Sequence, residues 1–165
     1  WQRVIRLQER TQGFTEVVPL PFVSEGAPIY RRGESRPGPT WRETRLMHAV
    51  LRLTVGRVIP NVQASWVKLG RRGALEMLAA GVNDLGGVLM NESITRAAGA
   101  AHGQMWIPKD IEQAIVDVGR SPVQRNTRYE PAVSQAAGQL CSDAIKWVSH
   151  TPAGRYANPK YRSAI

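Results

Sequence analysis

The chain has 165 residues, 42% apolar and 21% charged, which suits one packed domain and excludes a disordered tail or a fibre. Twenty-two basic against thirteen acidic side chains give +9, which admits anionic partners. No apolar run approaches the roughly 18 residues of a membrane helix, Trp1 to Arg10 alternates charge with bulk unlike a cleavable signal, and the single cysteine, Cys141, cannot form an internal disulfide or hold zinc or an iron–sulfur cluster alone, so a reducing, cytoplasmic setting is expected.

Along the chain, residues 14–23 are rich in β-branched and aromatic types, and Pro19 and Pro21 predict a strand ending near Pro19. Residues 24–39 carry three glycines and three prolines with Arg31, Arg32 and Arg36, too long for an ordinary strand-to-helix connection. Thr40-Trp-Arg-Glu43 has the capping-box spacing, and Leu46, Ala49, Val50 and Leu53 recur on one helical face until Gly56. Asn61 to Leu69 alternates as a strand closing at Gly70, Ala74 to Ala80 reads as a short apolar helix, and Asn83 to Met90 reads as a third strand. Asn91 caps a short helix through Ala98, and Pro108 opens another with Ile111, Ala114, Ile115 and Val118 on one face before Gly119. Residues 120–131 read as irregular, and 132–148 as an amphipathic helix using Val133, Ala137, Leu140, Ala144 and Val148. The last residues read as a basic, poorly ordered tail.

Strands alternating with helices predict an α/β fold with parallel pairing and right-handed crossovers, either a doubly wound sheet or an arc of a βα-barrel. Three strands fall short of the eight of a complete barrel, so the chain reads as part of a larger unit. In both architectures ligands bind at the carboxyl ends of the strands, where three clusters fall. Glu16 sits in an apolar strand, either facing out or needing a partner inside. Asn61, Gln63 and Ser65 share one face of the second strand by alternation, opposite Val62, Ala64 and Trp66, as a ligand-lining row or a solvated edge. Asn83, Asp84, Gly86, Gly87, Asn91 and Glu92 join paired glycines, which allow close backbone approach, to acidic side chains. Three histidines at 48, 102 and 150 are too scattered for a metal pair, and neither a nucleophile elbow nor a phosphate loop occurs. Eighteen arginines are spread over every segment with no legible nucleic-acid-binding motif, so neither nucleic acid nor membrane is expected as a partner.

Three ordered segments, Gly13-Phe-Thr-Glu-Val-Val-Pro-Leu-Pro-Phe22, Pro60-Asn-Val-Gln-Ala-Ser-Trp-Val-Lys-Leu-Gly70 and Gly81-Val-Asn-Asp-Leu-Gly-Gly-Val-Leu-Met-Asn-Glu-Ser93, resemble the radical S-adenosylmethionine deazaflavin (FO) synthase family. The likeness is to its second catalytic subunit or module, the 5-amino-6-(D-ribitylamino)uracil–tyrosine 4-hydroxyphenyl transferase. Ala27-Pro-Ile-Tyr30 and Ala97-Ala-Gly-Ala-Ala-His-Gly103 extend the resemblance, which runs from about Trp1 to Tyr129. It implies that residues 1–130 are the carboxyl-terminal part of a radical SAM (βα) TIM-like barrel; residues 131–165, which have no counterpart in the resemblance, read as a helical, then disordered, basic extension. It also implies a 4Fe-4S cluster and S-adenosylmethionine, the cluster held by a C-x-x-x-C-x-x-C motif in an amino-terminal half that this sequence lacks. In the family the 5'-deoxyadenosyl radical attacks tyrosine, 2-iminoacetate is released, and the hydroxybenzyl group passes to the uracil.

Carried onto this sequence, the resemblance places Glu16, Gln63, Ser65, Asp84 and Glu92 around the barrel interior to bind tyrosine, ribityl hydroxyls or the adenosyl moiety, with Phe22 and Trp66 as dry walls of the cofactor site. The implied partners are the amino-terminal half, L-tyrosine, 5-amino-6-(D-ribitylamino)uracil and the first subunit or module of FO synthase. Without the cluster cysteines the chain alone is expected to be inactive. Two competing readings are a related radical enzyme of the menaquinone futalosine pathway and an inactive fragment serving as a scaffold.

Overall fold

A computed structural model of the chain describes residues 1–89, 92–100, 103 and 105–132. Helix α1 (Gln2–Thr11) leads into strand β1 (Glu16–Val17). A long loop holding the one-turn helix α2 (Pro28–Arg31) then reaches α3 (Trp41–Thr54) and strand β2 (Asn61–Val62), with α4 (Trp66–Leu78), α5 (Ile94–Ala97) and α6 (Pro108–Asp117) following. The two strands pair in parallel, Glu16 opposite Asn61 and Val17 opposite Val62, and a parallel bridge from Gln63 to Asp84 adds a third extended segment. The fold is therefore α/β, with a small parallel sheet.

Alternation along the strands puts Val17 and Val62 on one face and Glu16, Asn61 and Gln63 on the other. The apolar face is covered by helices. Val62 joins Ala64, Trp66, Val67, Ala74, Met77, Val82, Leu85 and Trp106, with Ile111, Ala114 and Ile115 of α6 packed against them. A second cluster of Leu51, Val55 and Ile59 takes Val4 and Ile5 from α1, and Val17 touches both clusters. The amino ends of the strands are tied by Arg52 of α3, which donates to the carbonyls of Gly81 and Pro60 and to Oδ1 of Asn83. That Asn83 oxygen also accepts the Val62 N–H at 2.9 Å, so a side chain supplies a rung of the ladder.

Several sequence expectations change. The capping box of α3 is present, with Thr40 Oγ1 accepting from Glu43 N and Glu43 Oε2 accepting from Thr40 N at 2.7 Å. The buried stripe of that helix is Thr44, His48 and Leu51, whereas Leu46 is 52% and Leu53 79% exposed. The expected strand over 61–69 stops after Val62 and Gln63, because Trp66 already begins α4 and drives its indole into the core. Ser65 is consequently the N-cap of α4 and not part of a strand row. Helix α4 absorbs the shorter helix expected from Ala74 by kinking at Gly70, whose φ of 72° suits a residue without Cβ. The third strand reduces to the bridge at Asp84. Helix α1, which the sequence reading left unassigned, is held by Gln8: its amide bonds the Phe14 N–H and the carbonyls of Phe14 and Val58. Met90, Asn91, His102, Cys141 and the helix expected over 132–148 lie outside the described residues, as does the extension from 131 onward apart from Pro131 and Ala132.

His48 is fully buried, its Nδ1 2.8 Å from the Thr44 carbonyl and its Nε2 without a partner among the described residues. A carbonyl only accepts, so Nδ1 carries the proton and Nε2 presents a lone pair to a dry surround. Burial therefore pushes the imidazole below its ordinary value of 6.5. Because the folded value is the lower one, stability from neutral His48 is present above about pH 6.5 and is lost as pH falls below it. Unfolding free energies from urea titrations between pH 7.5 and 5.5 are expected to fall in the wild type by up to about 1.4 kcal/mol per pH unit for this one proton. His48→Leu should remove that share of the slope, and an unchanged slope would show that the histidine does not titrate as described.

Candidate functional site

The polar face of the sheet gathers the site. Glu16, the first residue of β1, and Gln63, just past the carboxyl end of β2, point from it, and Asp84 sits across the bridge from Gln63, its carbonyl accepting the Ala64 N–H at 2.9 Å. Asp84 is fixed locally as well, since its Oδ1 accepts the N–H of Gly86. At Gly86, φ is +75° and a Cβ would stand 2.5 Å from Gln63 Nε2, so glycine there makes room for the Gln63 amide.

Two residues that sequence reasoning placed in an irregular stretch complete the arrangement. Arg125 reaches over the face, its Nε donating to Asp84 Oδ2 and its guanidinium 3.6 Å from Glu16 Oε2. Tyr129 donates its hydroxyl to the same Glu16 oxygen, and the Arg125 guanidinium lies 3.9 Å from the Tyr129 ring centroid. The Asp84 side chain is 8% exposed, Arg125 26% and Glu16 36%, so the group is half-withdrawn from water. The hydrogen bond to Asp84 raises the Arg125 pKa further above its already high value, which keeps it charged. Burial, followed by the bond to Glu16, pushes the Tyr129 phenol well above its ordinary range, so it remains a neutral donor.

The segment that delivers both side chains is a compact clasp. Asn126 N donates to the Glu130 carbonyl at 2.9 Å, Asn126 Oδ1 accepts from the N–H groups of Arg128 and Glu130, and Asn126 Nδ2 donates to Glu130 Oε2 at 2.8 Å. Arg125 bridges antiparallel to Pro131 across this turn. Tyr129 is held at φ 64°, in the left-handed region that L residues seldom adopt, a strain that persists only where surrounding bonds impose it.

The remaining predicted residues do not join this group. Ser65 is half-buried at the head of α4 and makes no side-chain capping bond. The Glu92 carboxylate accepts the N–H of Thr95, an acidic group serving the first turn of α5. Trp66 is 3% exposed beneath the sheet, edge-on to Trp106 at 5.9 Å, and donates Nε1 to the Gly87 carbonyl at 3.1 Å. Phe22 is 41% exposed in an open apolar groove of about 610 Å3 that Trp1, Leu20, Leu46, Met47 and Val50 also line. Arg32 pairs with Glu34 and Arg36 with Glu43 on the exposed loop, so these charges are solvated ion pairs.

Among the described residues no three His, Cys, Asp or Glu side chains gather as a metal-binding set, and no helix is long and apolar enough to cross a membrane. The chain's one cysteine, Cys141, cannot supply the three thiolates of a 4Fe-4S cluster, so this donor set does not fit that group.

Comparison with known proteins gives a consistent picture. The chain is 55% identical over 130 residues to the 5-amino-6-(D-ribitylamino)uracil--L-tyrosine 4-hydroxyphenyl transferase of Methanopyrus kandleri, covering 79% of this chain and 35% of that protein. It is 48% identical over 124 residues to the transferase of the same name from Methanothermobacter thermautotrophicus, with 75% and 34% covered. Against the FO synthase of Streptomyces avermitilis it is 47% identical over 129 residues, 78% of this chain and 15% of that one. The chain thus spans about a third of the transferases and about a seventh of the FO synthase. The family model described as CofH/MqnC C-terminal region matches residues 11–137, a stretch that takes in Glu16, Gln63, Asp84, Arg125 and Tyr129 alike, and the chain belongs to that family.

Proposed function

We propose that this chain is the carboxyl-terminal part of a cytoplasmic radical S-adenosylmethionine transferase that joins the 4-hydroxybenzyl group of L-tyrosine to 5-amino-6-(D-ribitylamino)uracil, in the formation of deazaflavin (FO) and coenzyme F-420. The observation that carries this reading is the polar face of the parallel strands, where Glu16, Gln63 and Asp84 stand within the stretch 11–137 that the family model matches. In this reading the small sheet is an arc of a βα-barrel, its helices outside and its polar face toward the barrel interior.

Substrates bearing an amino acid or a polyol need several fixed donors and acceptors, and radical chemistry needs water excluded. Glu16, Gln63 and Asp84 supply the fixed polar groups, with Ser65 at the head of α4 and Glu92 ahead of α5 as further polar groups. Phe22 forms an apolar wall, and Trp66 steadies the loop after Asp84 through its bond to Gly87. The 4Fe-4S cluster and the S-adenosylmethionine bound to it belong to the amino-terminal half, consistent with relatives about three times as long as the matched stretch. That half also covers the groove around Phe22.

The test is coexpression with a C-x-x-x-C-x-x-C-bearing amino-terminal half, anaerobic reconstitution of the cluster, and mass spectrometry. Tyrosine-dependent 5'-deoxyadenosine and the uracil adduct are expected from the pair, and neither from this chain alone. An intact, cluster-loaded complex that makes no adduct would instead support a scaffold role.

A further inference from the structure

Two polar groups on the interior face have no partner among the described residues. Tyr129 and Arg125 both approach Oε2 of Glu16, which leaves Oε1 unbonded, and the Gln63 amide, lodged beside Gly86, makes no side-chain hydrogen bond. The clasp fixes Glu16 and Asp84 with a guanidinium and a phenol while leaving a carboxylate oxygen and an amide on the same face of the sheet. Two carboxylates against one guanidinium leave the group with one net negative charge, and the neutral phenol does not cancel it. Such a surface receives hydrogen-bond donors, cationic ones above all.

We propose that Arg125 and Tyr129 are positioning residues of the substrate site, holding Glu16 so that its Oε1, together with the Gln63 amide, binds an ammonium or hydroxyl donor group of the substrate. This rests on the reading given under Proposed function. It adds that the segment around Asn126 belongs to the binding site, and that the substrate is held there by its donor groups. Two sources carry that chemistry, the α-ammonium of tyrosine and the hydroxyls of the ribityl chain.

The test uses the enzyme complete with its cluster-bearing half, as wild type, Tyr129→Phe, Arg125→Lys and Glu16→Gln. KM is measured separately for tyrosine and for 5-amino-6-(D-ribitylamino)uracil, and melting temperature is followed alongside. Tyr129→Phe, which removes one hydroxyl bonded to a charged acceptor, is expected to raise one of the two KM values about tenfold with little change in kcat. Its melting temperature should stay within about 2 °C of wild type, a small shift for a domain of this size. Arg125→Lys keeps the charge but loses the fork that spans two carboxylates, and should raise the same KM. The substrate whose KM moves is the one held, and Glu16→Gln should weaken it most.

Both KM values unchanged within twofold in Tyr129→Phe and Arg125→Lys, with melting temperature lowered, would overturn the inference and leave a structural clasp. Should the wild-type complex form no adduct, the functional reading fails on its own. Equilibrium dialysis of labelled tyrosine and of 5-amino-6-(D-ribitylamino)uracil on the same complexes then decides. Binding to wild type that Tyr129→Phe weakens about tenfold keeps the inference, whereas equal binding, or none, ends it.

Discussion

Trp66→Ala is expected to cost about 3–5 kcal/mol of unfolding free energy, a large share of the roughly 5–15 kcal/mol that holds a domain together. The indole is 3% exposed at the start of α4 and belongs to the cluster of Val62, Ala74, Met77 and Trp106. Truncation opens a cavity that the helix cannot close, because Gly70 already kinks it one turn later. It also strips Trp106 of its edge-on partner, an arrangement worth about 0.5–1.5 kcal/mol beyond area, and leaves the Gly87 carbonyl without its donor. Urea unfolding followed by far-ultraviolet circular dichroism reads the loss directly. Leu53→Ala provides the contrast: its side chain is 79% exposed, and the change should stay within about 0.5 kcal/mol. A Trp66→Ala cost below about 1 kcal/mol would mean that the indole does not pack as described.

That pair of leucine and tryptophan positions also shows where the sequence was legible. Capping chemistry is local, so Thr40 and Glu43 announced the start of α3, and Pro108 with Gly119 bracketed α6. Which stripe of α3 is buried is not local. Leu46, Val50 and Leu53 make the more apolar stripe, yet β1 and α1 receive Leu51 and Val55, and the polar Thr44 and His48 go in with them. Helix α1 was hidden for a related reason, since its one buried residue is Gln8, whose amide is fully bonded to backbone. Asn61 to Leu69 alternates as written, but a tryptophan that opens a buried helix looks the same in sequence as one in a strand. Of the site, Glu16, Gln63 and Asp84 could be placed by strand ends and alternation. Arg125 and Tyr129 could not, because they lie 41 and 113 residues from the carboxylates they meet. Their signal was faint: an arginine and a tyrosine flanking Asn126, a residue suited to a tight turn.

Arg125→Met should destabilise the chain by about 3 kcal/mol at neutral pH, even though methionine matches the stem of the arginine in length. Among the described residues the guanidinium is the one cation set against Asp84 and Glu16, and the Asp84 side chain is only 8% exposed. Removing it leaves two like charges on one face with little water to screen them, so the cost is that of an uncompensated carboxylate and not merely of a lost contact. The loss extends to the clasp, because the same side chain bonds the Asn126 carbonyl at 3.1 Å and stacks on Tyr129. If this account is right, adding Asp84→Asn to Arg125→Met recovers most of the loss: the amide oxygen can still accept from Gly86, and one of the two opposed charges is gone. The double-mutant cycle in urea should then give a coupling of about 1.5–3 kcal/mol, in the range found for groups that share a network. Additive costs would instead mean that the guanidinium and the Asp84 carboxylate do not sense each other, and the polar face would have to be held by Tyr129 and Gly86 alone.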